Sequence, residues 1–222
     1  MTPRTSNASA TASRRSQIIE ATIDTIAEIG MPSTTFSQIA TRGELSSTRL
    51  ISYHFDSKTT LIEATVAHIY RSIDDFLSDR SRIDPASRPI QSFDDESPAS
   101  AASARDELFA YISGVAEYID GHRHYMRALQ AIFAASHTAE YDPAALQADP
   151  RGGALNHLQG VLRRGQNSGE FRAFDPLVIA AMIQRPLEAL SQLLASDPSL
   201  DVTRYAQELS DAVDRATRAD PA

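Results

Sequence analysis

Residues 35–61, TFSQIATRGELSSTRLISYHFDSKTTL, decide how the chain is read. Thr34-Thr35 offers an N-cap, and Phe36, Ile39 and Ala40 then fall on one face of a short helix reaching Arg42. Gly43 breaks that helix. Ser46-Ser47-Thr48 is a second run of cap residues, and the next short helix carries Leu50, Ile51 and Phe55 inward. Asp56-Ser57 opens a longer helix whose apolar stripe, Leu61, Ile62, Ile69, Ile73 and Phe76, runs to about Asp79. Upstream, Ile19, Ile23 and Ile26 recur at i, i+4, i+7 in a helix from about Arg14 to Ile29. Gly30 ends it and Pro32 prevents its continuation.

Three short helices in this order have the layout of a helix-turn-helix module, in which one helix supports, one crosses the DNA backbone and one enters the major groove. Such a module needs a rigid apolar knot behind the reading helix, and Ile19, Ile23, Ile26, Phe36, Ile39, Leu45, Ile51 and Phe55 supply it. It also needs small hydrogen-bonding groups where that helix begins, and Ser46, Ser47, Thr48 and Arg49 stand there. Backbone N–H groups at a helix start favour phosphate, and arginine can pair with guanine O6 and N7. The residues alone also fit a generic three-helix packing with capping serines.

The same stretch resembles the signature of the TetR family of transcriptional regulators. The resemblance is carried by Thr35, Ile39-Ala40, Leu45-Ser46, Tyr53-His54-Phe55 and Ser57-Lys58, followed by Leu61. It covers about 50 residues well. Beyond them it rests on helix count and on a Gly169-Glu170-Phe171-Arg172 turn before an apolar helix. The resemblance implies base reading by Ser47, Thr48, Arg49, Ser52 and His54, beside Ser46, and phosphate contacts from Thr35, Tyr53 and Lys58. Each has a plainer alternative: Thr35 and Ser46 as caps, Tyr53 as packing, His54 as surface. The sequence departs from the family at Gly43-Glu44, where Ala-Gly is usual, so Glu44 is expected to take an unfavourable positive φ. Ser46 to Phe55 is also one residue longer than the common spacing.

Outward from this module the class is all-α, about nine helices, with no period-2 strand pattern. Residues 1–13 read as a disordered tail, 14–60 as the DNA-binding domain and 61–222 as a helical effector-binding and dimerisation domain. A Pro/Ser/Asp-rich insert is expected at 81–104. Further helices are expected over Arg105–Asp120, His122–Ser136, Ala154–Gln166, from Asp175-Pro176 to about Ala195, and Val202–Thr217. The helix after Pro176 is apolar nearly all round, so it must be covered on more than one side. Ile183, Leu187, Leu190 and Leu194 are the expected contacts to a second copy, because a symmetric operator needs two reading heads. An effector cavity, implied by the resemblance, would be walled by Phe109, Ile112, Tyr125, Met126, Leu129, Phe133 and Met182. With few charges near, its ligand is expected to be largely apolar and uncharged or weakly anionic.

Composition narrows the alternatives. The 222 residues carry a net charge of −8, but residues 1–58 hold six basic and five acidic groups while 59–222 hold 15 and 24. Only the first segment suits a polyanion. There is no cysteine, which excludes disulfides, Cys-ligated zinc, iron–sulfur clusters and thiol nucleophiles. No G-x-S-x-G, glycine-rich phosphate loop or H-E-x-x-H is present, so no enzyme activity and no cofactor are expected. His122 and His124 stand two apart on a helix and face different ways, so no metal site is expected. No apolar run reads as a membrane span and Met1–Ser13 does not read as a secretory signal, so a cytoplasmic protein is expected. The resulting function is a DNA-binding transcriptional regulator, a repressor released from a palindromic operator by a small apolar ligand. The alternative is a helical small-molecule or protein-binding module without an operator.

Overall fold

The computed structural model describes residues 4–83, 103–136 and 150–219. These form nine helices: α1 (Arg4–Ile29), α2 (Phe36–Arg42), α3 (Thr48–His54), α4 (Lys58–Ile83), α5 (Ala104–Gly121), α6 (Arg123–Ser136), α7 (Pro150–Ser168), α8 (Pro176–Ser196) and α9 (Val202–Thr217). The only β pairing among the described residues is an isolated bridge between Phe171 and Arg218. Most of the expected insert at 81–104 lies outside the described residues; 81–83 close α4 and Ala104 opens α5.

The start of α1 corrects the sequence reading. Residues 4–13 are helical, where a disordered tail was expected. Between Pro3 and Gly30 there is neither glycine nor proline, and Ala8, Ala10 and Ala12 favour the helix. Residues 11–14 are exposed, so this extension rests on local propensity and on continuity with the packed turns that follow.

Two compact units result, and they do not divide at residue 60. One takes α1–α3, α4 as far as Arg71, and α6. Ile18, Ile23, Ile26, Ile39, Ile51, Phe55, Leu61 and Ile62 form its fully buried centre. The hydroxyls of Thr22, Thr25 and Thr65 donate to carbonyls four residues back, so these threonines are buried without unpaired polar atoms. Helix α6 joins this unit because it packs along α1. Glu20 of α1 also links α4 to α6: its Oε1 lies 2.9 Å from His68 Nε2, and the Tyr125 hydroxyl donates to both carboxylate oxygens at 2.8 Å.

The other unit takes α4 from Ser72 onward with α5, α7, α8 and α9. Leu108, Ile112, Leu158, Val161, Leu162, Ile183 and Leu190 are buried in it. Tyr118 is fully buried and donates from its hydroxyl to Ser72 Oγ at 2.9 Å. Phe171 lies so close to Gly165 that a Cβ there would fall 2.1 Å from its ring, which makes glycine obligatory at 165. Asp175 caps α8 by accepting from the Leu177 N–H, and Pro176 occupies the first turn, where a missing donor costs nothing.

Helix α8 corrects two expectations. Ile183, Leu187, Leu190 and Leu194 do not face outward; all four are buried within their own chain. Their spacing of four, three and four is the stripe of a helix laid on its own core, and α5, α7 and α9 cover it. The apolar side chains left exposed are Leu177, Val178, Met182 and Leu193. At 21 residues α8 is also, by length and composition alone, long and apolar enough to cross a membrane, contrary to the expectation that no run is. Its buried stripe accounts for that apolar character within the fold.

Gly43 is needed for space and Glu44 bears strain. A Cβ at Gly43 would lie 2.8 Å from Ala21 Cβ and 3.2 Å from the Ile39 carbonyl oxygen, although its own φ is an ordinary −80°. Glu44 sits at φ 51°, as expected. Gly43→Ala should therefore lower stability by about 1–3 kcal/mol through overpacking. Glu44→Gly should stay within about 1 kcal/mol of the parent, because relief of the left-handed backbone is offset by unfolded-state entropy. Urea midpoints decide; equal effects of the two substitutions would contradict this division of roles.

Candidate nucleic-acid interface

Thr35 fixes the start of α2 through a reciprocal cap: its hydroxyl accepts from Gln38 N at 3.3 Å, and Gln38 Oε1 accepts from Thr35 N at 2.8 Å. The Thr-x-x-Gln spacing is the capping-box pattern, a signal the sequence reading did not use. Helix α2 closes with Gly43 N donating to Ile39 O and Leu45 N to Ala40 O, both at 2.9 Å. Gln17 of α1 reaches across and donates from Nε2 to Gly43 O at 2.7 Å. The turn is thus held from three sides.

Helix α3 then starts at Ser47, whose backbone is extended and whose side chain makes no capping bond. Ser46 lies in the bend before it and is not a cap either, so that alternative fails for Ser46 while it holds for Thr35. Ile51 and Phe55 are buried beneath α3, and the Arg15 guanidinium lies 4.6 Å from the Phe55 ring centroid. With that side fixed, Ser46, Ser47, Thr48, Arg49, Ser52 and Tyr53 are all exposed. Tyr53 is 80% exposed, too much for a packing role. Its ring meets His54 edge to face at 5.1 Å, and His54 is half-buried.

The cations around the module are not equivalent. Arg42 pairs with Glu28, and Arg14 donates to Gln17 at 2.6 Å. Lys58 Nζ donates to Thr34 O at 2.6 Å, tying the start of α4 to the loop before α2. An ammonium has three donors, so two remain for a phosphate. Arg49 makes no ion pair or hydrogen bond among the described residues. The surface can therefore present a guanidinium, the four hydroxyls of Ser46, Ser47, Thr48 and Ser52, a phenol and an ammonium to a phosphate backbone and to base edges.

The expected effector wall is divided between the two units. Phe109, Ile112 and Met182 belong to one; Tyr125, Met126, Leu129 and Phe133 belong to the other. Tyr125 and Met126 are buried, and the Tyr125 hydroxyl is committed to Glu20. Met182 is 55% exposed on α8. The His68 hydrogen bond, assisted by the Tyr125 hydroxyl and the charges of His68 and His124, holds the Glu20 carboxyl below its ordinary value, against the opposing effect of burial.

Comparisons with known proteins agree with this geometry. Residues 18–65 match the family model described as bacterial regulatory proteins, tetR family. An HTH-type transcriptional regulator BetI of Burkholderia lata is 40% identical over 78 residues, which is 34% of this chain and 40% of that protein. The chain thus matches well under half the length of such curated relatives. Among solved structures, a bacterial regulatory protein in the tetR family from Rhodococcus RHA1 superposes with a TM-score of 0.71 at 20% identity, covering 93% of this chain and 98% of that one. The transcriptional regulator FadR from Bacillus subtilis, solved with stearoyl-CoA, gives 0.69 at 19% identity, covering 89% and 96%. At these identities the structural likeness speaks for the fold.

Two outcomes follow for the module. Tyr53→Ala should leave the melting temperature unchanged and weaken DNA binding in an anisotropy titration; a loss of stability instead would make Tyr53 a packing residue. Glu20 contributes stability that is present above its ordinary value of 4.5 and is lost as pH falls through the lower folded value. Glu20→Gln should therefore flatten the acid limb of a stability-against-pH curve below pH 4.5, and an unchanged limb would contradict the assignment.

Proposed function

We propose that this chain belongs to the TetR family of transcriptional regulators, whose model matches residues 18–65, and that it represses transcription from a palindromic operator and is released by a small, largely apolar ligand. One observation carries the DNA reading. Helix α3 has one side buried through Ile51 and Phe55, and the other presents Ser47, Arg49, Ser52 and Tyr53 with no packing role. Arg49 is the base-reading residue. Ser47, Thr48, Ser52 and His54 read beside it, while Thr35, Ser46, Tyr53 and Lys58 position the module on phosphates.

The assembly is a cytoplasmic homodimer. Its contact includes the exposed apolar side chains of α8, Leu177, Val178 and Met182, in place of the four buried residues first assigned. Two reading heads then meet half-sites about 34–36 Å apart. The ligand acts by binding better to the conformation that fits the operator worse, which is the only way it can shift the equilibrium. Support for an apolar ligand comes from the similarity in fold to FadR, whose stearoyl-CoA carries a long acyl chain, and from the Phe109 and Ile112 side of α5.

Fluorescence anisotropy with duplex DNA upstream of the chain's own gene tests the reading. Arg49→Ala should weaken specific binding by about 1–3 kcal/mol. Lys58→Ala should weaken binding to all sequences and lower the salt slope by about one. Met182→Asp should yield monomers in sedimentation and lose operator affinity with them. Parental affinity in both cation variants, or a parental monomer on DNA, would overturn the function.

A further inference from the structure

Helices α5, α7 and α8 of the second unit enclose a polar cluster that DNA reading does not use. Glu107, in the first turn of α5, is only 5% exposed. Its Oε2 accepts from Arg164 of α7 at 2.6 Å. Its Oε1 is buried and has no hydrogen-bond partner, the only such side-chain atom among the described residues. His157 Nε2 stands 3.9 Å from it, beyond hydrogen-bond reach. Burial pushes the His157 imidazole below its ordinary value, so near neutral pH it brings no second positive charge. The Tyr111 ring lies 5.5 Å from the His157 ring, and its hydroxyl donates to Gln184 of α8 at 3.2 Å.

Beside this carboxylate the chain is small. His157, Gly160 and Arg164 share one face of α7, spaced by three and four. A Cβ on Gly160 would meet only the Arg164 guanidinium, at 3.7 Å. A buried acceptor with an unsatisfied oxygen, an aromatic ring beside it and room on the facing helix make the chemistry that recognises a protonated amine. The ammonium supplies the donor that Oε1 lacks in a charge-assisted hydrogen bond, and aromatic faces attract cations. A carboxylate-headed ligand brings only acceptors and leaves Glu107 Oε1 without a donor.

We propose that Glu107 anchors a binding site for a primary ammonium group carried on an apolar body, with Tyr111, His157 and Gly160 around it. This rests on the effector reading above and names the head group that such a ligand presents. It replaces the expectation of an uncharged or weakly anionic molecule.

The test titrates the full chain by calorimetry with hexylammonium, hexan-1-ol and hexanoate, three probes sharing one apolar body. Hexylammonium should bind at least ~10-fold tighter than the alcohol, and hexanoate should bind weakest. Glu107→Gln should abolish that preference. Gly160→Leu favours the helix and fills the space beside the Arg164 guanidinium, 3.7 Å from the Cβ position; it should remove hexylammonium binding, with a cooperative melting transition showing that the variant is folded. Equal binding of the three probes, a preference for hexanoate, or an amine preference that survives Glu107→Gln would overturn the site. Should Glu107→Gln fail to fold, undiminished amine binding by Gly160→Leu overturns it equally. Operator affinity measured in parallel keeps the two readings apart: hexylammonium that binds through Glu107 but leaves operator affinity unchanged contradicts ligand release and supports the ammonium site.

Discussion

The burial of Ile51 and Phe55 is the constraint on which the reading surface depends. Helix α3 has only seven residues, far short of the ~12–15 at which an isolated helix becomes even marginal in water. It persists because these two side chains are fully buried in the core of the first unit. Burying them fixes the rotation of α3 about its axis, and that rotation decides that Arg49, Ser52 and Tyr53 point away from the protein. The approach of α2 to α1 is set in the same way, by a glycine at 43 that lets the backbone lie on Ala21. Packing thus comes first, and the polar surface is what packing leaves over.

Within the N-terminal unit one carboxylate ties the helix-turn-helix module to a helix far along the chain. Helix α6 is distant from α1 in sequence yet packs along it, and Glu20, His68 and Tyr125 join α1, α4 and α6 through one carboxylate. A displacement of α6 would strain hydrogen bonds that hold the supporting helix of α3. In the second unit the apolar α8 is spent mostly on its own core, through Ile183, Leu187, Leu190 and Leu194, and leaves Leu177, Val178, Met182 and Leu193 exposed.

Much of the fold is legible in the sequence because its punctuation is strong. Gly30, Gly43 and Asp175-Pro176 mark helix ends that the structure places within a few residues of expectation. The strain at Glu44 is legible too, since only a residue forced into a glycine position takes φ 51°. What periodicity cannot tell is which of several apolar stripes faces which neighbour. Helix α8 is apolar on nearly every side, so its sequence alone does not separate its buried stripe from its exposed one. Nor can it show that Tyr125 is held by a glutamate 105 positions earlier, or that Glu107 keeps a buried oxygen unpaired. Such facts are set by tertiary packing. The helical start of α1 was missed because a Ser/Thr/Ala-rich segment lacks an apolar stripe, although alanine alone favours helix.

The central claim is that α3 reads a defined, two-fold symmetric DNA sequence. It is tested most directly by presenting the full chain with a random duplex library at physiological salt and sequencing the bound fraction over successive rounds. The account predicts enrichment of an imperfect palindrome with half-sites about one helical turn apart, ~10 base pairs, and loss of enrichment at the base facing residue 49 when Arg49→Ala is used. A bound fraction with no sequence preference, or none bound at all, would contradict it.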